Sequence, residues 1–163
     1  MNIPLASKNG NLAVVKILTQ NCKNLDINFN YKDIKHKTPL HLACENGHSN
    51  IMEILIQNSA KMKIDFNASD NRGMTAFHMA CERGHSKIVE ILMQKSVKLN
   101  VDLNAKDWLG KTGFYYAFIC GSGSFAKLGA QYITRDPKIG CADSAFSLLL
   151  AQILGAQMRT FVH

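Results

Sequence analysis

The sequence predicts an all-α solenoid, built from short helix–turn–helix pairs that stack side by side and are joined by turns and extended loops. Three observations predict it. Thr38, Thr75 and Thr112 recur at a period of 37 residues, as do Asp33, Asp70 and Asp107, and residues 33–69 and 70–106 are identical at 19 of 37 positions. Each period holds two stretches whose apolar residues recur at helical spacing. Neither stretch is long enough to be a stable helix alone, so each pair must lean on its neighbours to hide its apolar face.

Taken in order, residues 1–32 read as a partial first repeat. "ASKNGNLAVVKIL" (6–18) lies on "ACENGHSNIMEIL" (43–55), while Met1 aligns with Thr38 and Pro4 with His41. In the second repeat (33–69) Thr38 is an N-cap, whose hydroxyl can accept an orphan backbone N–H. Pro39 follows at the first helical position, where its missing donor costs nothing. The helix runs to about Asn46, and Gly47 supplies the positive φ that turns the chain. A second helix starts near Ser49, with Ile51, Ile54 and Leu55 on one face. The matching sets are Ile88, Ile91 and Leu92 in the third repeat (70–106) and Val14, Ile17 and Leu18 in the first.

After the second helix, Leu25/Ile27/Phe29, Met62/Ile64/Phe66 and Leu99/Val101/Leu103 alternate with polar residues. This predicts a slightly longer second helix and then an extended, packed loop. The fourth repeat (107–140) is degenerate: Gly113 replaces Pro39, Tyr115 replaces His41, and Gly129 falls where Leu55 and Leu92 are core. The array thus covers residues 1–140. Residues 141–163 carry an apolar helix over about 145–158, capped by Asp143 or Ser144. It must bury against the end of the array, a second copy of the chain, a partner or a membrane surface; capping the array fits it best, with self-association through this helix as an alternative.

Composition narrows the function. Apolar residues make up 47% and charged residues 19% of the 163, so the chain can bury a core. The start, "MNIPLASKNG", carries no apolar export segment, and the longest apolar run is too short for the ~18 residues that cross a bilayer. Five cysteines, an odd number, then read as reduced thiols in a cytoplasmic or nuclear protein. The net charge of +7 is spread along the chain, with no aromatic stacking row beside it, which argues against nucleic acid as the partner.

Within "KTPLHLACENGH" (37–48) and "MTAFHMACERGH" (74–85), two His, a Cys and a Glu crowd together twice. Metal chemistry would need such side chains to converge within ~2.0–2.3 Å of one ion. Stacked helices instead hold equivalent residues ~8–10 Å apart. "AKDWLGKT" (105–112) imitates a phosphate-binding loop and "GSGSFA" (121–126) a dinucleotide fingerprint, but neither follows a strand. No nucleophile with a base and an orienting acid stands outside the repeat pattern. The expectation is a chain with no catalytic residue, no cofactor and no metal.

These motifs resemble the ankyrin repeat family: "TPLHLA" with Gly47–His48, "TAFHMA" with Gly84–His85, Asp-x-x-Gly-x-Thr at residues 70–75 and 107–112, and "DFNA" and "DLNA" at 65–68 and 102–105. The resemblance covers about residues 1–128. The unit here is 37 residues against about 33 in the family. It implies that His41 and His78 bond to the capping Thr and neighbouring backbone, and that His48 and His85 brace the turn between helices. It also implies a non-catalytic scaffold or adaptor that binds a protein on a concave face made of turn tips and first helices. Mapped here, that face is Lys32, Ile34, Lys35, Lys37, Glu45 and Asn46; then Ser69, Asn71, Arg72, Met74, Glu82 and Arg83; then Lys106, Trp108, Leu109, Lys111, Ile119 and Cys120. Trp108 and Leu109 stand out as side-by-side anchors. The lysines and arginines favour a partner with acidic segments. The alternative is a regulatory piece of a larger enzyme or channel.

Overall fold

A computed structural model of the chain describes residues 3–22 and 27–119. The second half of the fourth repeat, Cys120, Gly129 and the apolar helix expected at 145–158 lie outside the described residues. Nine helices occur among those described: α1 (Ile3–Lys8), α2 (Leu12–Gln20), α3 (Pro39–Glu45), α4 (Ser49–Gln57), α5 (Ser59–Met62), α6 (Ala76–Glu82), α7 (Ser86–Gln94), α8 (Ser96–Leu99) and α9 (Gly113–Ile119). The first helices α1, α3, α6 and α9 pack in one row, and the second helices α2, α4 and α7 in another. Thr38, Thr75 and Thr112 stand at equivalent places, each immediately ahead of a first helix.

The caps work as their residues dictate. Thr38 Oγ1 accepts the N–H of His41, and His41 Nδ1 lies 3.1 Å from the Thr38 N–H and 2.8 Å from its hydroxyl. Thr75 and His78 repeat the arrangement. Each helix pair then turns on a glycine of positive φ: Gly10, Gly47 and Gly84. At Gly47 a side chain would also fail sterically, because a Cβ would come 2.7 Å from the His85 ring.

Between helix pairs, each turn is organised by an aspartate. Asp33 Oδ1 accepts the N–H groups of Lys35 and Lys37; Asp70 serves Arg72 and Met74 in the same way, and Asp107 serves Leu109 and Lys111. The tips take positive φ at His36, Gly73 and Gly110. His36, standing where the later copies have Gly, is held in a conformation that L residues rarely adopt. Successive tips join through the main chain, Asn71 N–H to Lys35 O and Trp108 N–H to Arg72 O, both 3.1 Å.

The core runs between the two rows, and it departs from the expected helix faces. The buried residues of α4 are Ile51, Met52, Leu55 and Ile56, and those of α7 are Ile88, Val89, Leu92 and Met93. Ile54 and Ile91 are only partly buried. In α2 the same register buries Val15, Leu18 and Thr19, while Ile17 is 50% exposed. An interior second helix packs against neighbours on both sides, so its apolar face is wider than one stripe.

The stretch after the second helix also differs from the expected single longer helix. α4 stops at Gln57 and a separate turn of helix, α5, begins at Ser59, as α8 does after α7. Each short helix ends on a left-handed residue that is not glycine, Lys63 at φ 49° and Asn100 at φ 52°. The loop beyond it is packed: Met62, Phe66 and Leu103 are buried. Asn30 ties one loop to the next, donating from Nδ2 to Lys63 O and accepting the Asp65 N–H on Oδ1. Asn67 does the same one repeat later with Asn100 O and the Asp102 N–H.

Candidate protein-binding face

The turn tips and first helices form one face, on which the aspartate turns and threonine caps set every side chain. The two inward histidines are part of the frame beneath it. His41 Nε2 lies 3.0 Å from Met74 O, and His78 Nε2 lies 3.1 Å from Lys111 O. A carbonyl oxygen only accepts, so Nε2 carries the proton and Nδ1 is left to accept from threonine. Burial lowers the pKa of both rings, and the charged form has no place in this bonding. His48 and His85 reach back to the preceding repeat, donating from Nε2 to Lys8 O and Glu45 O. The repeated histidines therefore join repeat to repeat.

Cys44 and Cys81 are fully buried, and burial pushes the Cys44 thiol up to about 12, which leaves it a thiol rather than a nucleophile. No group of three or more His, Cys, Asp or Glu able to hold a metal occurs among the described residues. No helix among them is long and apolar enough to cross a membrane.

The residues mapped to the face fall into three sets. Ile34, Lys35, Asn46, Asn71, Arg72, Arg83, Trp108, Leu109 and Ile119 are exposed, as are Lys32, Ser69 and Lys106. Glu45, Glu82 and Lys111 are half-buried. Met74 and Lys37, also mapped to the face, are buried. Met74 sits where the turn enters α6, with its N–H on Asp70 Oδ1 and its carbonyl on the His41 ring, so its side chain is drawn into the core. Lys37 folds down onto Glu45, 2.6 Å away.

That contact changes the charge of the face. Glu45 is held by Lys37 and also by Arg83 of the next repeat at 3.1 Å. Burial alone would raise the Glu45 pKa, but these two cations outweigh it and hold the carboxyl below its ordinary value. Arg72 pairs with Glu82 at 3.3 Å and lies 3.6 Å from Asp70. Lys111 sits 4.1 Å over the Tyr115 ring. Much of the basic character legible in sequence is thus already matched within the fold.

The face also exposes large apolar side chains. Ile34 is 96%, Trp108 76% and Leu109 78% exposed at their turn tips. The Trp108 ring lies against the preceding tip, where a Cβ on Gly73 would meet it at 2.5 Å. This contact gives the exposed ring a fixed seat. Leu5, at 54%, was absent from the mapped face. So were Asn30 and Asn67, although their 37-residue spacing could have singled them out.

No curated protein matches the chain. The family described as ankyrin repeats in three copies matches residues 3–107 and, in a second overlapping match, residues 62–131. Those matches cover most of the sequence and coincide with the stacked helix pairs: the chain belongs to the ankyrin repeat family.

Proposed function

We propose that this chain is a non-catalytic scaffold or adaptor that grips one protein partner on the concave face of its turn tips and first helices, with Trp108 and Leu109 as the anchors. Ankyrin repeats are generally protein–protein interaction modules. The observation that carries the finer reading is the exposure of Trp108 beside Leu109 on a tip whose backbone is fixed by Asp107 and by the Arg72 carbonyl. A large aromatic held rigidly in solvent loses little entropy on binding and brings much apolar area.

The test is cross-linking and affinity capture of a partner, followed by titration against Trp108→Ala and Leu109→Ala. Each substitution should weaken binding by more than ~2 kcal/mol, roughly thirtyfold in Kd. Melting temperatures should stay near the parent's, since surface changes rarely exceed about 0.5 kcal/mol. Unchanged affinity in both variants would remove these residues from the interface.

A further inference from the structure

The N-terminal end of the same face is a groove of about 500 Å³, and the first repeat contributes to it residues unlike their counterparts in the later repeats. Leu5, Leu42 and Met79 occupy equivalent positions on α1, α3 and α6. Leu42 and Met79 are buried, and the Arg72 guanidinium lies 3.8 Å from the Met79 sulfur. Leu5 is more than half exposed and lines the groove, facing the same space as Ile34.

Charge changes in step. Lys8, Glu45 and Glu82 occupy the next equivalent row. Glu45 and Glu82 are each met by cations of the fold, Glu45 by Lys37 and Arg83, and Glu82 by Arg72. At the N-terminal end the carboxylate is replaced by the cation Lys8, and exposed Lys35 lines the same groove. Around the groove stand four cations (Lys8, Lys35, Lys37 and Arg83) and two carboxylates, Asp33 and Glu45. The carboxylates already serve backbone N–H groups, Lys37 and Arg83.

We infer that this groove binds an acidic–apolar peptide segment of a partner protein: an aliphatic side chain enters between Leu5 and Ile34 while a neighbouring carboxylate meets Lys8 and Lys35. The incoming carboxylate takes, with those lysines, the part that Glu45 takes with Lys37 and Arg83 inside the fold. Charge complementarity selects the occupant; a basic segment would face Lys8 and Lys35 with like charge. The inference rests on the binding role proposed above and adds a second contact region, at the opposite end of the described array from Trp108.

The experiment pans a displayed library of short random peptides against the full chain and titrates the enriched peptides by fluorescence anisotropy. The expected result is a set pairing an aliphatic residue with a nearby Asp or Glu, whose Kd rises about tenfold or more in Lys8→Glu and Lys35→Glu. Binding should stay within about twofold in Trp108→Ala. Replacing the peptide's acid by Lys should restore affinity for the Lys35→Glu protein. Both lysines are exposed, so unchanged melting curves keep the comparison clean. Enriched peptides that ignore the lysine variants but are lost in Trp108→Ala would overturn the groove and leave the binding role standing. Failure to enrich any peptide would overturn the groove as a peptide site. A captured partner whose affinity ignores both lysine variants and Trp108→Ala would instead count against the proposed face itself.

Discussion

The junction between the second and third repeats and the junction between the third and fourth are built on one backbone frame with different side chains. At the first, α3 packs against α6, Leu40 and Ala76 stand at the positions equivalent to Phe77 and Gly113, and His41 reaches forward to Met74 O. At the second, Phe77 replaces Leu40, its ring meets Phe114 edge-on with centroids 5.3 Å apart, and the facing residue is Gly113. A Cβ on Gly113 would lie 2.5 Å from the Phe77 ring. His78 still reaches forward, to Lys111 O. The fourth repeat, however, has Tyr115 where a histidine stands in the second and third, and there the Tyr116 hydroxyl donates to Asp107. The difference teaches that the repeat is a frame of Asp, Thr and Gly positions, and that the apolar filling on either side of a junction must vary together.

The largest effect should come from a residue at the centre of the described array. Leu55 is 1% exposed on α4, which packs against α2 on one side and α7 on the other. Leu55→Ala should cost about 2–5 kcal/mol, as a buried truncation does. In so short an array, that loss should unfold the stacked repeats in one transition. Denaturant melts followed by circular dichroism check it, and a parental midpoint would remove Leu55 from the core.

Next in size is a change confined to the second junction. Gly113→Ala should cost about 1–3 kcal/mol by overpacking against Phe77. Phe77→Leu loses buried area, yet together with Gly113→Ala it gives the second junction the residues that stand at the equivalent positions, Leu40 and Ala76, of the first. The two changes together should therefore cost less than their sum, with a coupling of about 0.5–3 kcal/mol measured in a double-mutant cycle. Strict additivity would mean that the two junctions are filled independently of their facing residues.

The frame was legible in sequence because it repeats: Asp33, Asp70 and Asp107, the threonine caps and the turn glycines each mark a backbone need that recurrence at one period reveals. The filling was less so. Ile17 and Val15 are equally apolar, and only the packing of α2 against α1 and α4 decides that Val15 is the buried one. Lys63 and Asn100 end their short helices in left-handed conformations without the glycine that would announce it. On the candidate face, the exposure of Trp108 and Leu109 could be expected from their turn position. Met74 and Lys37 could not be sorted that way, because their burial depends on partners, the His41 ring and Glu45, that spacing does not disclose.

The smallest expected effect tests what the two junctions share. Each is spanned by one buried neutral histidine, His41 at the first and His78 at the second. Burial lowers both pKa values below the ordinary 6.5, so the unfolded chain binds more protons than the fold as pH drops past that value. Stability from these rings is therefore complete above about pH 6.5 and is lost as pH falls from there through the depressed folded values. Glu45, held below its ordinary 4.5, joins the loss only in more acid solution. Thermal melts should stay level from pH 8 to about 7 and decline between about 6.5 and 5, before the carboxylates titrate. Because the second junction also has the Phe77–Phe114 contact, His78→Gln should lower the melting point less than His41→Gln. Each variant should flatten part of the acid decline. A melting temperature indifferent to pH between about 7.5 and 5 would mean that the rings accept a second proton without leaving their threonines, and that the hydrogen-bond pattern at both junctions is misassigned.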